Sequence, residues 1–253
     1  MKTLFTFIIS LLCLTGFGQV NTSVTNGLVG WWMPYGTNLS GATVTDFSGY
    51  GNNGVSTNSP YWTNSVTGNT NSIYFNGTSQ SVILGTASTF NLTGNLTLSV
   101  WFRVNSLSVM SQWFLGKDDA TLGRSYDFGF YYTNLIFQVN GVNQGASQAF
   151  TADGNWHNAT VVLNGANVSY FYDATNCGTS GGCPAINVST SLLFIGQRSF
   201  TGYLNYFGGS LADVHIYNRP LSTNEITTLY HEGQPWHMLS IGQPLNKYQR
   251  ISR

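Results

Sequence analysis

Nine carboxylates and four histidines are the groups in this 253-residue chain that could move a proton or hold a metal. Glycoside hydrolysis asks for two carboxyl groups across one bond, and alternate positions of a strand would place them on one face. No Asp or Glu pair occurs at i, i+2. Asp118 and Asp119 are adjacent, so a strand would point them opposite ways, and "GKDDATLG" (116–123) reads as a loop. Glu225 fits a helix cap and Glu232 a helix end. Asp213 stands within "GGSLADVHIYNRPLSTNEI" (208–226), an alternation that reads as a strand, with no carboxylate close to it in sequence. His157, His215, His231 and His237 fall in no nucleophile motif and lack zinc spacing. The pattern argues against an enzyme. It leaves open carboxylates that converge from separate strands.

Oxygen-rich turns offer a different chemistry. Calcium takes six to eight oxygens from side chains and carbonyls. "DFSGYGNNG" (46–54) supplies Asp46, Asn52, Asn53 and flexible carbonyls. The competing reading of Asp46 is an Asx-turn that serves only the backbone.

These residues sit in a chain with little charge. Charged residues make up 7% and the formal net charge is zero, so there is no electrostatic footprint for nucleic acid or anionic lipid. Hydrophobic residues at 42% and aromatics at 15% exclude disorder and allow a sizeable core. The start, "MKTLFTFIISLLCLTGFGQV", has a basic n-region, a short apolar stretch and small residues at Gly16 and Gly18. It reads as a signal peptide over 1–18, cut before Gln19, too short to anchor the chain in a bilayer. The expected mature protein is secreted or held at the cell surface, with no membrane span. Two cysteines remain, Cys177 and Cys183 in "CGTSGGC", and an exported chain would join them as a local disulfide.

Period-two alternation supplies the elements. Leu96, Leu98, Val100, Phe102 and Val104 share one face of "LTLSVWFRV", and Tyr126, Phe128, Phe130 and Tyr132 share one face of "YDFGFYY". Asn-Gly and Asp-Gly turns punctuate such runs. The expectation is all-β, an antiparallel two-sheet sandwich. One short C-terminal helix follows: Ser222 and Glu225 form a capping box, Leu221 and Ile226 a hydrophobic staple, and Gly233 the stop. Residues 19–232 read as one domain and 233–253 as an irregular tail.

Taken in order, several motifs resemble LamG-like jelly-roll domains. "GLVGWW" (27–32) with "DFSGYGNNG" resembles their opening. "IYFNGTSQSVILG" (73–85), "LTLSVWFRV" (96–104) and "DGNWHNATVVLNGANVSYFYDA" (153–174) resemble their middle strands. "LLFIGQ" (192–197) and "GGSLADVHIYNRPLSTNEITTLY" (208–230) resemble the closing strands and helix. The resemblance implies the concanavalin A-like jelly roll, with calcium in some relatives and hydrolases or lyases in others. Because the first and last strands of that fold are neighbours, Asp213 joins Asp46 and Asn53 as a candidate calcium ligand. Its alternative is an edge-strand carboxylate. This chain departs from the family pattern at Asn158, where a second His is usual, and at Ala212-Asp213, where Asp-Asp is frequent. The Cys loop after Asp173 replaces a tight Asp-Gly turn.

Two functions fit. One is a carbohydrate-binding module, with Tyr131, Tyr170, Tyr203 and Tyr206 as candidate ligand-binding aromatics, and Tyr172 beside them. The other is a structural or adhesive module with an extracellular protein partner. Exposed aromatics with convergent amides would favour the first, and a flat apolar patch the second.

Overall fold

The computed structural model describes residues 23–32, 43–63, 72–104, 111–119, 121–145, 147, 149–198 and 205–233. The expected leader, Tyr203 and the tail beyond Gly233 lie outside them. In chain order the strands are β1 (Leu28–Trp32), β2 (Thr43–Val44), β3 (Gly54–Thr57), β4 (Tyr61–Thr63), β5 (Ser72–Asn76), β6 (Ser81–Gly85), β7 (Leu96–Arg103) and β8 (Ser111–Asp119). They continue as β9 (Gly123–Tyr131), β10 (Asn134–Val139), β11 (Val142–Asn143), β12 (Trp156–Asn164), β13 (Asn167–Tyr172), β14 (Thr175–Ser180), β15 (Leu193–Ile195) and β16 (Gly208–Tyr217). A 3-10 turn spans Ser88–Phe90, and the helix α1 spans Thr223–Glu232.

Two antiparallel sheets face each other, as expected for a concanavalin A-like jelly roll. The first runs β14-β13-β12-β7-β16-β5-β4, with β1 also on β16; the second runs β11-β10-β9-β8-β15-β6-β3-β2. The alternation of 96–104 sets the inner face of the first sheet, and Tyr126, Phe128 and Phe130 do the same for the second. Phe102, Phe114, Phe130, Phe150 and Phe207 meet tilted or edge-on at 5.0–6.3 Å, the arrangement their ring quadrupoles favour.

The outer face of the first sheet is also covered. Ile226 and Leu229 of α1 pack on Val162, Phe171 and Tyr217, and Tyr230 stacks on Trp101 at 5.3 Å. Both hydrogen bonds of the capping box form, and Leu221 and Ile226 are buried together. Outward positions such as Thr97 and Ser99 are therefore buried as well.

Three expectations are corrected. Residues 116–119 are the end of β8 rather than a loop, with Lys117 and Asp118 fully buried. Residues 175–180 form β14, joined to β13 by a tight turn with Asp173 and Ala174 at φ 49 and 59. That strand also keeps the cysteines apart, and the structure shows no disulfide between them. Cys177 lies opposite Tyr170–Phe171, whereas the Cys183 amide bonds the Ala166 carbonyl. The separation is roughly 13 Å at about 3.3 Å per residue, and a bridge tolerates no more than roughly 7 Å between Cα atoms.

Candidate functional site

The turn at 46–53 is built around Asp46. Its Oδ1 accepts the amides of Trp31 (3.0 Å) and Ser48 (2.9 Å), and its Oδ2 accepts the Ser48 hydroxyl (2.8 Å) and the Asn52 amide (2.9 Å). The Asn53 side-chain oxygen accepts the Asp46 amide at 2.9 Å. This is the Asx-turn alternative, extended into a hub that ties the turn to β1. Asp213 lies on the far side of the same tryptophan, where its Oδ1 accepts the Trp31 ring N–H at 2.7 Å.

Trp31 thus lies between Asp46 and Asp213, bonded to the first through its backbone amide and to the second through its ring N–H, whereas Asn53 reaches only the Asp46 amide. The hydrogens aimed at Asp46 present positive charge where calcium would have to sit, so its carboxylate does not fit a calcium centre. Among the described residues no group of three or more His, Cys, Asp or Glu side chains is placed to hold a metal ion.

Asp213 has a local reason to be there. On one edge β16 pairs with β5 through Leu211 and with β1 from Val214 onward. At the changeover its register against β7 shifts and Asp213 adopts φ 49. The bulge resets the alternation: Leu211, Val214 and Ile216 enter the inter-sheet core, whereas Ala212 does not. His215 then stacks on Trp31 at 5.3 Å.

The same turn forms one wall of an open cleft of about 380 Å³. Its lining includes Tyr50, Thr89, Asn91, Thr93, Asn95 and Asn218, from three segments distant in sequence. The Asn52 amide group joins two of them, donating to Val29 O (3.3 Å) and to the Thr89 hydroxyl (3.1 Å). Gly49 and Gly51 flank Tyr50 at φ 91 and 72 with open space where a Cβ would be, so backbone conformation, not crowding, calls for glycine. Tyr50 is 56% exposed. The cleft combines an accessible ring with amide and hydroxyl groups, which suits ring stacking and hydrogen bonding to a polyhydroxylated ligand.

The aromatics singled out in the sequence fare unequally. Tyr131 is 38% exposed and meets the more exposed Tyr132 edge-on at the β9–β10 turn. Tyr170 is corrected: it is fully buried, its hydroxyl donates to Gln144 O at 2.9 Å, and burial pushes its pKa up. Tyr172 is half-buried, stacked between Phe150 and His157. Tyr206 is half-buried, bridged to Gln197. Tyr50 went unrecognised because its neighbours in the cleft are remote in sequence.

A carboxylate pair that strand spacing did not reveal lies on the outer face of the second sheet. Asp118 on β8 and Asp127 on β9 are both fully buried. Arg198 pairs with Asp118 Oδ2 at 2.5 Å and reaches Asp127 Oδ2 at 3.2 Å, with its guanidinium 5.2 Å from the Trp113 ring centroid. Gly116 lets this segment cross: a Cβ there would stand 2.8 Å from Arg198 Cα. Burial pushes Asp127 well above the usual carboxylate range; Arg198 draws it back and Asp118 raises it further. Sealed under a guanidinium, the pair has no room for a glycosidic bond between its members.

His157 lies between two acids, its Nδ1 2.7 Å from Asp173 and its Nε2 3.2 Å from Asp153. Burial pulls its pKa down, but the hydrogen bonds and charges of Asp173 and Asp153 outweigh it, and the net shift from 6.5 is upward. Asp153 itself is lowered to about 2, chiefly by the Asn155 backbone. The protonated His157 therefore stabilises the fold fully below pH 6.5, and this contribution is lost as pH rises through its folded value. Melting curves from pH 5.5 to 8.5 should show that decline, and His157→Gln should make it shallower, leaving the part that Asp127 contributes. An unchanged slope in the variant would place the pH dependence elsewhere.

A family model of the concanavalin A-like lectin/glucanases superfamily, Laminin_G_3, matches residues 76–227. The chain belongs to that superfamily. No curated protein sequence matches it. Among solved structures, it resembles domain 4 of AbnA, an extracellular GH43 arabinanase of Geobacillus stearothermophilus, in complex with arabinotriose. There the identity is 15%, the coverage is 80% of this chain and 98% of that one, and the TM-score is 0.62. It also resembles the binding domain of Paraclostridial Mosquitocidal Protein 1 (14% identity, 81% and 52% covered, TM-score 0.63). A third is a mutant Trypanosoma rangeli sialidase displaying trans-sialidase activity (17%, 87% and 34%, 0.64). The chain thus spans the arabinanase domain but about half of the mosquitocidal binding domain and a third of the sialidase.

Proposed function

We propose that the chain is an exported, non-catalytic carbohydrate-binding module whose site is the cleft beside Tyr50. The observation that carries this is the exposed Tyr50 ring held next to the amides and hydroxyls of Thr89, Asn91, Thr93, Asn95 and Asn218. The arabinanase domain bound to arabinotriose and a botulinum neurotoxin binding domain in complex with SialylT lend support, since both share this fold. The sealed Asp118–Asp127 pair supports a role without catalysis. Binding of the full chain to immobilised glycans tests the reading. Tyr50→Ala should weaken the strongest interaction roughly tenfold, the loss of one stacking contact worth about 1.4 kcal/mol, with an unchanged melting temperature. Undiminished binding would move the site off this cleft.

A protein partner is the second reading. Leu122, Val142 and Val188 are 52%, 61% and 64% exposed, and hydrogen bonds among their segments hold these turns together. A module that binds no glycan and captures a protein through these three residues would favour it.

A further inference from the structure

We infer that the cleft beside Tyr50 selects short neutral glycans and rejects sialylated, uronic or sulfated ones. This rests on the glycan reading of the same cleft and adds which sugars it admits. A carboxylate or sulfate entering a partly desolvated site gives up its hydration and needs a cation or several unused N–H groups in return. Among the described residues that line the cleft, no side chain is charged.

Among the described residues two positive features stand at its edge, and both are matched from within the chain. Three amides converge on the 46–53 turn, from Trp31, Ser48 and Asn52, an arrangement that elsewhere could hold an anion. All three donate to the Asp46 carboxylate. Arg219 follows the cleft residue Asn218, and its guanidinium grips Glu225 at 2.6 and 3.1 Å while its Nε donates to Asn26 O at 2.7 Å. An anionic sugar would meet negative charge behind each of these groups. The remaining lining offers hydroxyls and side-chain amides, which exchange hydrogen bonds with neutral sugar hydroxyls in either direction. The volume, about 380 Å³, is near the low end of small-molecule sites and suits a short glycan end.

A glycan array tests this with the full chain at low ionic strength. It should carry neutral glycans beside their sialylated, uronic-acid and sulfated counterparts, with lactose and sialyllactose as one matched pair. Neutral members should bind at least tenfold more tightly, and Tyr50→Ala should abolish the difference. Thr93 is exposed, so Thr93→Lys should fold normally and shift preference toward the acidic member of each pair. Acidic glycans that bind as tightly as neutral ones, with both lost in Tyr50→Ala, would overturn the selectivity and leave the glycan reading standing. No change in preference with Thr93→Lys would likewise overturn it. No binding to any glycan would overturn the glycan reading itself.

Discussion

Replacing Asp46 by alanine should lower the unfolding free energy by about 3 kcal/mol and weaken ligand binding at the cleft at the same time. One buried carboxylate there satisfies three backbone amides and a hydroxyl. A hydrogen bond to a charged group contributes about 1.5–3 kcal/mol, and donors left without an acceptor add a desolvation cost. The four bonds share one anchor, so their energies do not add and the expected total is well below their sum. Asp46→Asn should fall between wild type and alanine. Its Oδ1 can still accept from Trp31 and Ser48, while its amide nitrogen would face the Asn52 N–H. Chemical denaturation gives the stability order, and calorimetric titration with the best glycan gives the binding loss. Excess EDTA should leave the wild-type melting temperature unchanged, because the positive ends of N–H groups already fill the space around the carboxylate. A drop on chelation, reversed by calcium, would show that the turn holds a cation after all.

What the sequence disclosed follows from how local each signal is. The inner faces of β7 and β9 were readable because a two-sheet core imposes period two on contiguous residues, as Leu96 to Val104 and Tyr126 to Phe130 show. The helix was readable because Ser222, Glu225, Leu221 and Ile226 act within one turn of each other. β14 was missed because "TNCGTS" carries no apolar alternation; it is an edge strand, defined by its pairing to β13. The end of β8 was missed because burying Lys117 and Asp118 depends on remote partners. The Lys117 ammonium donates to the carbonyls of Ser189 and Ser191 at 3.0 and 2.7 Å. The cleft failed to show for the same reason, since its walls meet only after both sheets have formed. Asp213 was visible as an oddity in a strand, but the changeover between β5 and β1 that explains it is a property of the sheet.

The Arg198 variant should show the other large effect, a loss of about 3 kcal/mol for Arg198→Ala, because it leaves buried Asp118 with only the longer 3.8 Å contact to the Arg124 guanidinium. The ion pair itself need not be stabilising, since taking two charges out of water costs about as much as their attraction returns. The double variant Asp118→Asn with Arg198→Met should therefore recover most of the loss. Asp127 adds a dependence on pH. Its folded pKa lies well above the unfolded carboxylate value, so it contributes stability at low pH that declines as pH rises toward its folded value. Asp127→Asn removes the ionisable group while keeping its shape, and should make the protein more stable than wild type at pH 8 and above. Denaturant midpoints at pH 5 and pH 8.5 separate these expectations. An Arg198→Ala protein as stable as wild type at both values would mean that water reaches Asp118 and that the outer face of the second sheet is open. The pair would then be accessible to a substrate, and the case for a binding module without catalysis would lose its strongest physical support.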